Sequence, residues 1–162
     1  MLPAISDSSE PWRSRSWLTV TDAAMPAKPH APTRILIVED HEDSRELFGE
    51  LFRASGFVVE QAWTAADGLA ILRARTIDAV VTDYNLGTET ETGCWMLAQA
   101  ESEGLLDAVG AIVVYSALPY VEPPASLPRA LSLQKPVHIE VLVAEIDRLL
   151  EEARDTDPTP RA

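Results

Sequence analysis

The chain holds a single cysteine, Cys94, among its 162 residues, so no disulfide can form within it. A lone thiol fits a reducing compartment, where it packs as a small apolar side chain more readily than it reacts. Long apolar runs are also missing: no window approaches the ~18 apolar residues that a membrane-crossing helix needs. The N-terminus carries Asp7 and Glu10 where a secretory signal would carry a hydrophobic stretch. Basic residues are scarce, with 13 Lys and Arg against 26 Asp and Glu. The resulting net charge of -13 repels nucleic acid and anionic membrane and attracts small cations. Together these absences predict a cytoplasmic chain with no nucleic-acid and no membrane partner.

What is present is an ordinary globular balance, 46% hydrophobic and 24% charged residues, in a length that suits one domain with a full core plus tails. Residues 1–33 contain Pro3, Pro11, Pro26, Pro29 and Pro32 and lack periodicity, which predicts a disordered N-terminal tail. Trp12 and Trp17 are its only large aromatics, and Met25 offers a second start directly before the first strand pattern. Between 34 and 154 strand and helix patterns alternate, and 155–162 reads as a C-terminal tail.

The apolar, β-branched runs Ile35–Val38, Phe57–Glu60, Asp78–Asp83, Ala111–Tyr115 and Ala130–Leu133 predict five strands, with the signature of burial on both faces. Asp43 with Glu46 reads as the N-cap pair of a first helix, whose apolar face is Leu47, Phe48, Leu51 and Phe52 and whose stop is Gly56. Thr64 with Asp67 resembles a capping box for a second helix through Leu69 and Leu72. A polar loop, Leu86 to Thr92, precedes a third helix from Gly93 through Trp95 and Leu97 to Gly104, with Trp95 read as core. Ile139, Leu142, Val143, Ile146, Leu149 and Leu150 keep the spacing of a last amphipathic helix. Strands alternating with helices imply a parallel α/β sheet covered on both faces, with ligands bound outside the carboxyl ends of the strands.

Polar residues collect at those ends: Glu39 and Asp40 after the first strand, Asp83 at the end of the third, Ser116 after the fourth and Lys135 after the fifth. A lone Asp in such a place more often ends a strand or caps the next segment, but three acids, a hydroxyl and an amine at four strand ends suit a divalent cation and a phosphoryl group. Mg2+ takes oxygen ligands, which Asp40, Asp83 and the Asn85 backbone carbonyl can supply, with Glu39 reaching it through a metal-bound water. A carboxylate attacking phosphorus needs its charge and that of the phosphoryl oxygens offset, by Mg2+ and by Lys135. Ser116 can then donate a hydrogen bond to a phosphoryl oxygen.

In these motifs residues 34–154 resemble the receiver domain of two-component response regulators. The motifs are Glu39-Asp40, Asp83 within Val-Thr-Asp-Tyr-Asn, Ser116 within Val-Tyr-Ser-Ala, and Lys135-Pro136, one per strand end and in this order. The resemblance implies a flavodoxin-like, doubly wound five-stranded parallel sheet in the order 2-1-3-4-5. It also implies a phosphoprotein rather than an enzyme, with Asp83 accepting phosphate from a histidine kinase or phosphotransfer protein, Mg2+ required, and a downstream protein partner.

The sequence departs from the family's pattern in three places. The loop Leu86–Gly93 after the phosphoacceptor is longer than usual and lacks the usual proline, and Ser132 stands where the family has its switch aromatic. The segment between Ser116 and Lys135 is short and carries Pro119, Pro123, Pro124 and Pro128, which predicts a fourth helix lost or reduced to one turn. The expected switch is then an ordering of the loop 117–129, with Tyr115 or Tyr120 as the aromatic that repositions and the last helix as the surface of any homodimer. Two other readings stand beside this one: a receiver-like interaction module that works without phosphorylation, and a haloacid-dehalogenase-type phosphatase. The latter needs a second Asp as proton donor where Asn85 stands.

Overall fold

Side chains alternate across a strand, so the two-residue period of the apolar runs decides which face of the sheet each helix covers. The computed structural model describes residues 31–127 and 129–156. The elements run β1 (Arg34–Val38), α1 (Glu42–Ala54), β2 (Val58–Ala62), α2 (Ala65–Ala74), β3 (Ala79–Asp83), α3 (Gly93–Ser102), β4 (Ala111–Ser116), β5 (Ala130–Gln134) and α4 (Ile139–Thr156). All neighbouring strands pair in parallel, in the order β2-β1-β3-β4-β5. This is the expected flavodoxin-like, doubly wound sheet. The readings made for Trp12, Trp17, Met25 and the chain ends 1–30 and 157–162 fall outside the described residues.

Ile35 and Ile37 of β1, Val81 of β3 and Val113 of β4 point to one face, where Phe52 of α1 and Leu142 and Ile146 of α4 cover them. Leu36, Val38, Val80 and Val114 point to the other, beneath Leu69 and Leu72 of α2 and Met96 and Leu97 of α3. The central strands β1, β3 and β4 are therefore buried almost throughout, while β2 and β5, at the edges, are half-buried. Phe52 meets Phe57 edge-on at 5.5 Å, and truncating so fully buried an aromatic to Ala costs about 3–5 kcal/mol.

Several boundaries differ from the sequence reading. α1 starts one residue before Asp43, with His41 as its N-cap and no side-chain cap bond. The His41 amide is instead taken by the Glu39 carboxylate, which reaches it at 3.0 Å. Leu47 is 55% exposed, because Phe48 and Phe52, one turn apart, already fill the face toward the sheet. β2 begins at Val58, since Phe57 is drawn into the core beside Phe52. Asp155 and Thr156, read as tail, continue α4.

Other local readings are matched. Gly56 has φ 93°, the left-handed turn that ends α1. Thr64 caps α2 by accepting from the Asp67 amide at 3.1 Å and donating to its carboxylate at 2.8 Å. Among the described residues no helix lies between β4 and β5. That crossover is an extended loop, tied to the α3 side of the sheet by Val121 and Leu127.

Candidate functional site

β1 and β3 lie side by side, yet the chain leaves them toward opposite faces, to α1 and to α3. Their carboxyl ends therefore open a crevice at the point where the winding reverses. Glu39, Asp40 and Asp83 meet there, with one carboxylate oxygen of each within 4.8 Å of the others. Glu39 and Asp83 are buried and Asp40 is exposed. Lys135 comes in from the end of β5, and its Nζ stands 2.7 Å from Asp83 Oδ2 and 3.7 Å from Glu39 Oε2. Pairing of β5 with β4 carries it there, and its amide donates to the Ser116 carbonyl at 2.7 Å. The Lys135–Pro136 peptide is cis.

Ser116 is buried at the end of β4, and its Oγ accepts a hydrogen bond from the Leu118 amide at 3.0 Å. On the other side the Asn85 amide donates to Asp83 Oδ1 at 3.2 Å, while the Asn85 side chain accepts from the Gly87 amide at 3.1 Å. All the residues singled out at the strand ends are thus brought to one edge of the sheet. α3 is pressed against the same edge: Thr92 caps it by accepting from the Trp95 amide at 3.1 Å, and the Gly93 amide donates to the Tyr84 carbonyl at 2.8 Å.

Two side chains not assigned to the site by the sequence reading complete it. The Tyr115 hydroxyl donates to Glu39 Oε2 at 2.6 Å, and its ring lies 4.6 Å beneath Lys135 Nζ. Arg45, buried on α1, donates to the Glu39 carbonyl at 2.9 Å and stacks its guanidinium 4.3 Å from the centre of the Trp63 ring. The only trace of either in the sequence is a tyrosine closing an otherwise aliphatic run and an arginine in the first turns of a helix. Burial pushes the Glu39 carboxyl above its ordinary range, against the hydrogen bonds from Tyr115 and the His41 amide. Burial, with the Glu39 charge beside it, likewise pushes the Tyr115 phenol up.

The sequence profile of the response regulator receiver domain matches residues 35–147. The chain belongs to this family. Among solved structures, the receiver domain from the hybrid histidine kinase CckA is similar at 26% identity and TM-score 0.60, over 72% of this chain and 98% of that one. A CheY-like receiver domain protein from Methanospirillum hungatei JF-1 shares the fold at 22% identity and TM-score 0.68, over 78% and 100% of the two chains. A CheY-like receiver domain from Methylobacillus flagellatus aligns at 25% identity and TM-score 0.63, over 74% and 99%. No curated protein matches the sequence.

This receiver domain carries Ser132 and Tyr115 on opposite faces of its sheet. By the two-residue period Ser132 shares the α3 side of the sheet with Val114 and Ser116, whereas Tyr115 lies on the α1 and α4 side, against Phe48 at 5.5 Å. Tyr115 is 1% exposed on the face opposite Ser132, while Tyr120 is 73% exposed.

Proposed function

We propose that Asp83 accepts a phosphoryl group from the phosphohistidine of a partner histidine kinase or phosphotransfer protein, and that the phosphorylated domain signals through contacts with a downstream protein. The observation that carries this reading is the 2.7 Å approach of Lys135 Nζ to Asp83 Oδ2 within an acidic crevice. An Asp83 carboxylate oxygen attacks phosphorus; the new P–O bond forms as the P–N bond breaks, and its electron pair leaves on the imidazole nitrogen. Lys135 moves with the charge, from the carboxylate to a phosphoryl oxygen. Ser116, whose Oγ accepts from the Leu118 amide, donates its hydroxyl proton to another.

The donor set fits Mg2+, which is held by one or two carboxylates plus phosphate oxygens and waters. Asp40, Asp83 and the Asn85 backbone carbonyl would hold it, with Glu39 bonded through a metal-bound water. When bound it supplies countercharge to the phosphoryl oxygens. Asn85 stands where a phosphatase of the haloacid-dehalogenase type needs its proton donor, which favours a phosphoacceptor over an enzyme. Among the described residues no helix is long and apolar enough to cross a membrane, in keeping with a cytoplasmic signalling role. The loop 117–129 takes the part of the missing helix in output, and α4 with exposed Val141 is the surface for a homodimer.

Incubation with acetyl phosphate and Mg2+, read by intact mass, tests the reading. The wild type gains one phosphoryl group and Asp83→Asn gains none. An unmodified wild type, under conditions that label another receiver domain, would leave only the interaction module that works without phosphorylation.

A further inference from the structure

Two buried carboxylates compete for one ammonium in the crevice. Lys135 Nζ is 2.7 Å from Asp83 Oδ2 and 3.7 Å from Glu39 Oε2. Attraction falls with distance, which favours Asp83, but nothing in those two distances holds Glu39 back from the lysine. The Tyr115 hydroxyl does. It donates to the same Glu39 oxygen at 2.6 Å, while the other Glu39 oxygen accepts from the His41 amide at 3.0 Å. Both Glu39 oxygens are thereby engaged by neutral donors.

The Tyr115 ring also forms a platform, 4.6 Å from Lys135 Nζ, that limits where the ammonium can go. The ring itself is buried, 1% exposed and edge-on to Phe48 at 5.5 Å. Movement in its absence is not blocked by packing, because Glu39, Tyr115, Lys135, Phe48 and Val137 line a cavity of about 430 Å³.

We propose that Tyr115 is a positioning residue: its hydroxyl clamps Glu39 and its ring steers Lys135, so that Lys135 is kept for Asp83 and Glu39 is kept aimed at the cation site. The proposal rests on the reading of Asp83 as phosphoacceptor with Mg2+ beside it. It acts through its two neighbours and touches no reacting atom. Removing the hydroxyl frees Glu39 Oε2 to close on Lys135, which withdraws one group from the cation site and the other from Asp83.

The test is a double-mutant cycle of Tyr115→Phe and Glu39→Gln, read by Mg2+ affinity in calorimetry and by the rate of labelling with acetyl phosphate. Tyr115→Phe keeps the ring and its packing on Phe48. It is expected to lower both Mg2+ affinity and labelling rate by about tenfold, the scale of losing a group that orients a metal ligand. In the Glu39→Gln background the same change should have little further effect. A Tyr115→Phe effect that persists undiminished in that background, or no effect on either readout, overturns the proposal.

The unaltered chain supplies a second readout that needs no variant. The Tyr115 hydroxyl proton, held against Glu39, should give a resolved downfield nuclear magnetic resonance signal that shifts when Mg2+ is added to saturation; a signal unmoved by Mg2+ overturns the clamp. If wild type binds Mg2+ and Tyr115→Phe weakens that binding, but neither is labelled, the clamp stands and the phosphoacceptor reading falls.

Discussion

Gly93 lies against the end of β3 so closely that a Cβ there would collide with the Asp83 carbonyl oxygen and with the Thr82 hydroxyl. The first residue of α3 thus sets the distance between that helix and Asp83. Backbone atoms cannot swing aside as a flexible side chain can, so Gly93→Ala must push α3 away or bend β3. The expected cost is about 1–3 kcal/mol of stability, in the range of overpacked sites, with slower labelling of Asp83. Denaturant unfolding checks the first part; a midpoint equal to wild type would show that the helix moves freely.

Lys135→Ala should separate binding from chemistry. It removes a positive charge from beside Asp83 and Glu39, so Mg2+ affinity should not fall. The labelling rate should drop roughly a hundredfold, the scale of losing one charge-stabilising donor. Calorimetry and labelling kinetics decide it, and a rate within about twofold of wild type would take Lys135 out of the mechanism.

The loop 117–129 should register phosphorylation through Leu118. Ser116 Oγ accepts from the Leu118 amide at 3.0 Å, so a pull of that hydroxyl toward a phosphoryl oxygen is passed directly to the start of the loop. The far end of the loop is anchored by buried Val121, by the Cys94 thiol at 3.8 Å from the Glu122 carbonyl, and by a Ser126–Glu101 hydrogen bond. Hydrogen exchange with and without beryllofluoride should therefore change over 117–133, first at Leu118. Unchanged protection there, beside a clear change elsewhere, would send the signal by another route.

Cys94 should be a slow thiol. Burial pushes its pKa up, so at a given pH less of it is thiolate than in the unfolded chain, and the thiolate is the reactive form. Alkylation by iodoacetamide should be slower in the native protein than in denaturant, and should keep rising with pH beyond the ordinary thiol range. Equal native and denatured rates would contradict the burial.

Much of this was legible in the chain. Aliphatic, β-branched runs such as Val80–Val81 and Ile112–Val114 could only be strands buried on both faces, and both are fully enclosed. Thr64 and Gly56 carry their roles in their own side chain and backbone, so local chemistry sufficed to place them. The start of α1 was misread because Asp43 and Glu46 offered a cap by spacing alone, whereas a carboxylate from the preceding strand had already taken the His41 amide. Leu47 was misread for a similar reason: periodicity counts apolar residues but not how many the sheet has room to cover.

The sequence by itself determined that three acids, a hydroxyl and an amine leave the sheet at one edge, because in a parallel sheet every strand carries its C-terminal residue to the same side. It also predicted that no ordinary helix joins β4 to β5, as holds among the described residues, since prolines withhold the amides that a helix needs. What only the tertiary structure decided is how those groups pair. Register sets Val38 beside Thr82 and Asp83 beside Tyr115, and so brings the Tyr115 hydroxyl to Glu39 across 76 residues of chain. A shift of one residue would turn Tyr115 to the opposite face, and that register is fixed by the packing of both faces together rather than by any one segment.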